Sequence, residues 1–388
     1  MVRILRVMNT CATTVLLLMI LLVLLYSNKQ QNISTPQSSA NLVWIPSFLH
    51  KTFPLSNWQL EKKRVSQNLT ARCEQNTMFE NVSGFESLSP MFQDFLYYRH
   101  CRSFPIILDL PDKCQGDDEP EDVFLLLVIK SSPQNYERRE VLRKTWAAER
   151  SYKGKVIRRI FIIGTGGSGF EEEKLNKLVM WEHQHYNDIL QWDFKDSFFN
   201  LTLKQILFLE WMDRSCPQAR FLLNGDDDVF AHTDNMVEYL QSLKDNNGRK
   251  HLFTGHLLQN AMPKRDPNNK YFIPTQVYDK NFYPPYCGGG GYLLSGYTAL
   301  VIYKISASVQ IIPIDDVYMG MCLAVAKLKP DSHMGVQTLQ WHIPSRQVDK
   351  NDPCYLKDFL LLHKFLPSDL FFLWQEVRNP KLICSAKA

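Results

Sequence analysis

The stretch from Phe221 to Met236, "FLLNGDDDVFAHTDNM", carries three consecutive aspartates, Asp226, Asp227 and Asp228, directly behind an apolar run. "RFLLN" has the length and composition of a buried strand, and "VFAHTDNMVEYL" resumes apolar residues at helical spacing. An acidic run is ordinarily a solvated loop. This one falls at the carboxyl end of a strand, where open α/β sheets place their ligands. Carboxylates held together there repel unless a cation neutralises them, so a metal site is expected.

The preceding segments fit that placement. "EDVFLLLVIKSS" reads as a strand buried on both faces, followed by a basic helix, "NYERREVLRKTWAAE". A strand "RRIFIIGTG", an acidic helix "FEEEKLNKLVMWEHQHY", the segment "DILQWDF" and a helix "FNLTLKQILFLEWMDRSC" lead into the acidic triplet. Strands alternating with helices of this length predict βαβ units and a mainly parallel sheet. "KHLFTGHL", "KYFIPTQVY" and "GYLLSGYTALVIY" predict further strands in a less regular second half. With 45% hydrophobic and 22% charged residues, the 388-residue chain has material for an ample core. Its net charge of +4 comes without a basic stripe interleaved with aromatics, which argues against nucleic acid as a partner.

The amino terminus places Arg3 and Arg6 ahead of an apolar and small-residue run from Val7 to Tyr26. That length spans a bilayer of roughly 30 Å, and the arginines keep the short end in the cytosol. "LLYSNKQQ" offers no good cleavage site, so a retained anchor is expected rather than a signal peptide. Residues 1–6 are then a cytoplasmic tail, 7–26 the span, 27–72 a polar stem, 73–119 a cysteine-containing approach segment and 120–388 the catalytic domain. Sequons at Asn32, Asn68, Asn81 and Asn200 point to a lumenal setting. Of the nine cysteines, Cys11 lies in the span and leaves eight, an even number suited to disulfides. No CxxC pair occurs, which argues against a cysteine-based zinc site.

Several other groups bear chemistry. Lys130 ends the first strand, and Arg138, Arg139 and Arg143 follow on the basic helix, with Arg139 and Arg143 four apart on one face. Guanidinium forks near a helix start suit a phosphate. Beside a metal-binding acid cluster they describe a diphosphate clamp, an arrangement shared by nucleotide-sugar enzymes and phosphohydrolases. "PPYCGGGGYLLS" supplies Gly288 to Gly291, expected where backbone must approach a ligand closely, with Tyr286 or Trp146 as stacking surface. "IIPIDDVYMGMCLA" sets Asp315 and Asp316 at a helix start, where one acid serves as cap and the other is free for other work. His363 in "CYLKDFLLLHKFLP" reads either as a satisfied core histidine or as a metal ligand.

Six segments in order, "FLLLVIKSSPQNYERREVLRKTW", "QWDFKDSFFNLTLK", "FLLNGDDDVFAHTDNM", "YPPYCGGGGYLLS", "PIDDVYMGMCL" and "DPCYLKDFLLLH", resemble the motif set of glycosyltransferase family 31. The wording is most similar to the β-1,3-N-acetylglucosaminyltransferases that extend core 1 O-glycans and lactosamine chains. The resemblance covers roughly the last two-thirds of the chain. It implies an α/β fold of GT-A type, UDP-N-acetylglucosamine as donor, galactose-terminated glycan acceptors, Mn2+, and a single-pass type II position in the Golgi membrane; it leaves room for a homodimer. It implies Asp228 and His363 as metal ligands and Asp316 as general base. It also implies Lys130 and Asp226 around the donor, where the residue pattern adds Arg138, Arg139, Arg143, Asp196, Asp227, Gly289 and Gly290 as expected contacts. His342, in "TLQWHIPSRQVDK", is a rival for His363. A β-1,3-galactosyltransferase using UDP-galactose is the alternative within the family. Cys354 and Cys384 flank the His363 segment and are expected to pair, as are Cys73 and Cys101.

Overall fold

The computed structural model describes residues 73–116, 121–167, 169–338 and 352–384. The expected span and stem lie outside these residues, as do Asn32, Asn68 and His342. Among the described residues no helix is long and apolar enough to cross a membrane.

Strand β2 (Val123–Lys130) is buried at all eight positions, because its side chains alternate between two cores on opposite faces of one sheet. Leu126 and Val128 enter the first core, and Leu125, Leu127 and Ile129 the second. β2 pairs in parallel with β4 (Lys155–Thr165) on one side and with β6 (Phe221–Asp226) on the other. β5 (Ile189–Lys195) continues the parallel set beyond β4, and β1 (Ile106–Leu108) closes that edge antiparallel. A short β3 (Arg150–Tyr152) pairs antiparallel with β4. On the far side of β6 the sheet changes sense. β9 (Tyr286–Ser295) runs antiparallel to β6 and to β8 (Phe253–Leu258), and β10 (Asp331–Ser332) adds the last edge.

Helices cover both faces. On the first lie α1 (Pro90–Tyr98), α4 (Leu201–Ser215), α6 (Gly296–Ser306) and α7 (Asp315–Val325). On the second lie α2 (Tyr136–Lys144), α3 (Phe170–Tyr186) and α5 (Thr233–Ser242), with α8 (Pro353–Leu356) and α9 (Pro367–Val377) toward the carboxyl end. The second core also takes in a small sheet of β7 (Val229–Ala231), β12 (Leu361–His363) and β11 (Val336–Gln337). The expected parallel βαβ half is present. "KYFIPTQVY" forms no strand, contributing only a bridge between Lys264 and Phe272. "GYLLSGYTALVIY" is a strand only to Ser295 and then helix α6, whose start Ser295 caps through its hydroxyl, accepting from the Thr298 amide.

Both expected disulfides are present, Cys73–Cys101 and Cys354–Cys384. A third, Cys114–Cys216, joins the approach segment to the end of α4 across a separation of 102 residues. The eight cysteines outside the expected span do not all pair, since Cys287 and Cys322 remain buried thiols. Burial pushes both up to about 12, which leaves them with almost no thiolate at neutral pH. Iodoacetamide should therefore leave Cys287 and Cys322 unmodified in the folded protein and label both after unfolding in guanidinium. A Cys287–Cys322 bridge in a non-reducing peptide map would contradict this structure.

Candidate active site

The acidic triplet is the junction of the two sheets: β6 ends at Asp226 and β7 begins at Val229. β12 pairs antiparallel with β7 so that His363 lies opposite Val229. Two distant segments thereby bring a histidine to the aspartates. His363 Nε2 lies 3.0 Å from Asp228 Oδ1 and 4.0 Å from Asp226 Oδ2. Its Nδ1 is 3.2 Å from the Thr338 carbonyl oxygen, which only accepts, so Nδ1 donates and Nε2 is turned to the acids. Burial works against a charged His363, but Asp228 and Asp226 outweigh it and raise its pKa. Burial likewise opposes the Asp228 charge, and the adjacent His363 imidazole outweighs it and holds that carboxyl below its usual range. Asp228 Oδ1 is buried and has no directed hydrogen bond among the described residues, although Nε2 is near. Ligand atoms of Asp226, Asp228 and His363 all lie within 4.8 Å of one another, a set of oxygens and one imidazole that fits a divalent cation such as Mn2+.

The repulsion anticipated from sequence is relieved in part by protein groups. Lys130 Nζ, buried at the end of β2, lies 3.0 Å from Asp226 Oδ1 and donates to Asp315 Oδ2 at 2.7 Å. Burial opposes its charge, yet Asp226 and Asp315 raise its pKa well above the ordinary lysine value. Asp226 remains raised, chiefly by burial, with Lys130 offsetting and Asp315 and Asp228 adding. Asp227 turns the other way: its Oδ2 accepts from Ser131 Oγ at 2.6 Å and from Asn135 Nδ2 at 2.8 Å. Arg138 Nε stands 3.8 Å from Asp227 Oδ1.

A cleft of about 390 Å³ opens over these groups, lined by Lys130, Ser131, Asn135, Asp196, Phe198, Lys204 and the three aspartates, among others. Asp196 does reach this cleft, where it pairs with the buried Lys204 at 2.9 Å. Lys204 escaped the sequence reading. A lysine on the apolar side of "FNLTLKQILFLEW" was the available signal, since a buried ammonium requires a carboxylate partner.

Several expectations need correction. Arg139 and Arg143 do share a helix face, but that face is buried against Glu182 of α3 and Asp188, the residue ahead of β5. Arg139 makes a two-pronged bond to Glu182, and Arg143 bonds Glu182 and Asp188, so neither guanidinium is presented to a ligand in the cleft. Asp315 does not cap α7; its carboxylate is taken by Lys130. Trp146 is fully buried, with its Nε1 donating to the Val229 carbonyl, and offers no stacking surface. The glycine run lies inside β9 rather than ahead of it. What approaches it is protein: a Cβ at Gly290 would stand 2.9 Å from His363 Cγ, and one at Gly289 would stand 3.2 Å from Asp316 Oδ2. Asp316 is thus set across the same bare strand from His363. Burial, then the neighbouring Asp315, raises its carboxyl to about 7.

Of the two described sequons, Asn81 is exposed, whereas Asn200 donates to the Lys195 carbonyl and Thr202 is buried with its hydroxyl donating to Ile312.

A mixed α/β sheet flanked by helices, with an acidic strand-end cleft, fits a GT-A-like glycosyltransferase. A family model described as Galactosyltransferase matches residues 137–334, and the chain belongs to this family. It is 49% identical over 315 residues to a human N-acetyllactosaminide beta-1,3-N-acetylglucosaminyltransferase 3, covering 81% of this chain and 82% of that one. A human acetylgalactosaminyl-O-glycosyl-glycoprotein beta-1,3-N-acetylglucosaminyltransferase is 45% identical, covering 80% of each chain. A mouse UDP-GlcNAc:betaGal beta-1,3-N-acetylglucosaminyltransferase 7 is 42% identical, covering 82% of this chain and 79% of that one.

The two arginine environments predict opposite mutant behaviour. Arg139→Met leaves Glu182 short of its buried partner and should cost about 3–5 kcal/mol of stability. Arg138→Ala, at the half-exposed rim, should cost less than about 1 kcal/mol. Urea unfolding of the two variants beside wild type measures both, and equal losses would contradict the placement.

Proposed function

We propose that the chain transfers N-acetylglucosamine from UDP-N-acetylglucosamine, in β-1,3 linkage and with inversion, to galactose at the end of O-glycans or lactosamine chains. The observation that carries this reading is the placement of Asp316 beside the Gly289 backbone, across bare strand β9 from the Asp226, Asp228 and His363 set. One raised carboxyl on the acceptor side and a cation-type cluster on the donor side are the two parts an inverting transfer requires. The activities for which the relatives are named favour N-acetylglucosamine over galactose as the transferred sugar.

In this reading Asp316 accepts the proton of the acceptor 3-hydroxyl as that oxygen attacks the anomeric carbon. The bond to the UDP oxygen breaks, and its electron pair leaves with the diphosphate. A carboxyl ionising near 7 is matched to that task, since it is a stronger base than an ordinary aspartate and keeps about half its population ionised at neutral pH. No second carboxylate is needed as nucleophile, in contrast to retaining glycosidases. Asp228 and His363 would hold Mn2+, with Asp226 beside them, and the bound ion supplies Lewis-acid neutralisation of the leaving diphosphate. Lys130 fixes the start of α7 through Asp315 and so aims Asp316. The reading includes anchorage by residues 7–26 in the Golgi membrane with the catalytic domain in the lumen. Incubation with UDP-N-acetylglucosamine or UDP-galactose and a panel of galactose-terminated acceptors tests it directly. Transfer from UDP-galactose alone would favour the galactosyltransferase alternative.

Asp228→Ala and excess EDTA should each abolish transfer while leaving the folded circular-dichroism spectrum intact; full activity in chelator refutes the metal assignment. Asp316→Asn should lower turnover by about 10²–10⁴ with UDP affinity nearly unchanged. The same substitution has a pH signature. An unfolded aspartate ionises near 3.9, whereas Asp316 in the fold ionises near 7, so its charged form costs stability above its folded pKa and costs nothing below about pH 4. Asp316→Asn should match wild type in urea at pH 4 and exceed it at pH 8, both without metal. An equal difference at both pH values would remove the basis for a raised carboxyl.

A further inference from the structure

The middle acid of the triplet connects the cleft to a buried ionic cluster behind it. Ser131 Oγ donates to Asp227 Oδ2 at 2.6 Å and lies 3.1 Å from Arg139 Nη1, whose only role there is to donate. Arg139 in turn donates to Glu182 at 2.6 and 2.9 Å. The line Glu182–Arg139–Ser131–Asp227 thus runs from helix α3 to the acidic loop, and each member is less than a tenth exposed. The cluster it ends on is not balanced internally. Arg139, Arg143 and Arg159 converge on Glu182 and Asp188, with Glu140 only at the solvent edge, 3.7 Å from Arg143. Asp227 is the next buried carboxylate, reached through one hydroxyl. Asp227 also has Asn135 at 2.8 Å and Arg138 at 3.8 Å, and in a low-dielectric interior the excess guanidinium of the cluster adds to their pull across a single bridging hydroxyl.

We propose that Glu182, Arg139 and Ser131 are positioning residues for the donor site: they hold Asp227 at the cleft wall and so fix the turn that sets Asp226 and Asp228 beside His363. Asp227 and Asp228 form the turn that joins β6 to β7, so anchoring the middle side chain restrains the turn that carries Asp228 and the strand end that carries Asp226. This rests on the donor and metal reading above. Outer supports of metal-binding groups commonly alter affinity by about 10–100-fold when removed.

The test is a double-mutant cycle on the full chain, using UDP binding by calorimetry at fixed excess Mn2+, with a melting curve for each variant. Glu182→Gln, distant from any ligand, should weaken UDP binding about 10-fold in protein that is still folded. Ser131→Ala should do the same, Ser131→Thr should restore affinity, and the double variant should show about 10-fold loss rather than about 100-fold. Wild-type affinity in folded Glu182→Gln, or losses that multiply, overturns the proposal. If Glu182→Gln fails to fold, unchanged affinity in Ser131→Ala overturns it alone. Wild-type protein that binds no UDP with Mn2+ instead refutes the donor reading.

Discussion

Lys130 carries an ammonium to the end of a strand whose other seven residues lie against apolar cores, and two carboxylates from separate elements meet it there. Asp226 ends β6 and Asp315 begins α7, so one buried charge ties the central sheet to the helix that bears Asp316. The desolvation of that ammonium is costly, and only paired acids make it tolerable. The acids benefit reciprocally, because the triplet and the Asp315–Asp316 pair would otherwise place like charges in one low-dielectric pocket. The positions of both acidic motifs therefore depend on this ion pair.

Strand β9 supplies the complementary constraint, which is absence of bulk. Its glycines lie between elements that must come close: the Gly225 position of β6, the Thr338 and His363 segment, and Asp316 on α7. At Gly290 a methyl group would meet His363 and Thr338 at or within 3.0 Å, and at Gly291 it would meet Leu361 at 2.5 Å. These glycines let side chains from opposite sides of a strand reach one site.

Much of this was legible in the amino acids, for identifiable reasons. The parallel half of the sheet follows from apolar runs of strand length separated by helices, and the acidic cluster from charges at a strand end. His363 was ambiguous because a single histidine among leucines carries no partner information; β12 pairing with β7 resolves it. The basic helix misled for a related reason. The spacing of Arg139 and Arg143 correctly placed them on one face, but spacing does not say which way a face points, and Glu182 and Asp188 are contacts more than 35 residues distant in the chain. Asp315 was misread as a cap because a helix start is a local feature, whereas its partner Lys130 is 185 residues away. Long-range ion pairs are what a local pattern omits.

The Cys354–Cys384 bridge closes a loop around β12, the strand that delivers His363, and holds α9 beside it. A loop of that length contributes about 3–4 kcal/mol by the chain-entropy model. The histidine at the acidic cluster is thus secured by a bond that only an oxidising medium forms and keeps. Without that bond the carboxyl-terminal segment keeps His363 in place through the pairing of β12 with β7 and β11 and the contact with Thr338. The aspartates, carried on the central sheet, have no such dependence. Redox conditions therefore bear on the segment that carries the imidazole and not on the strand that carries the carboxylates.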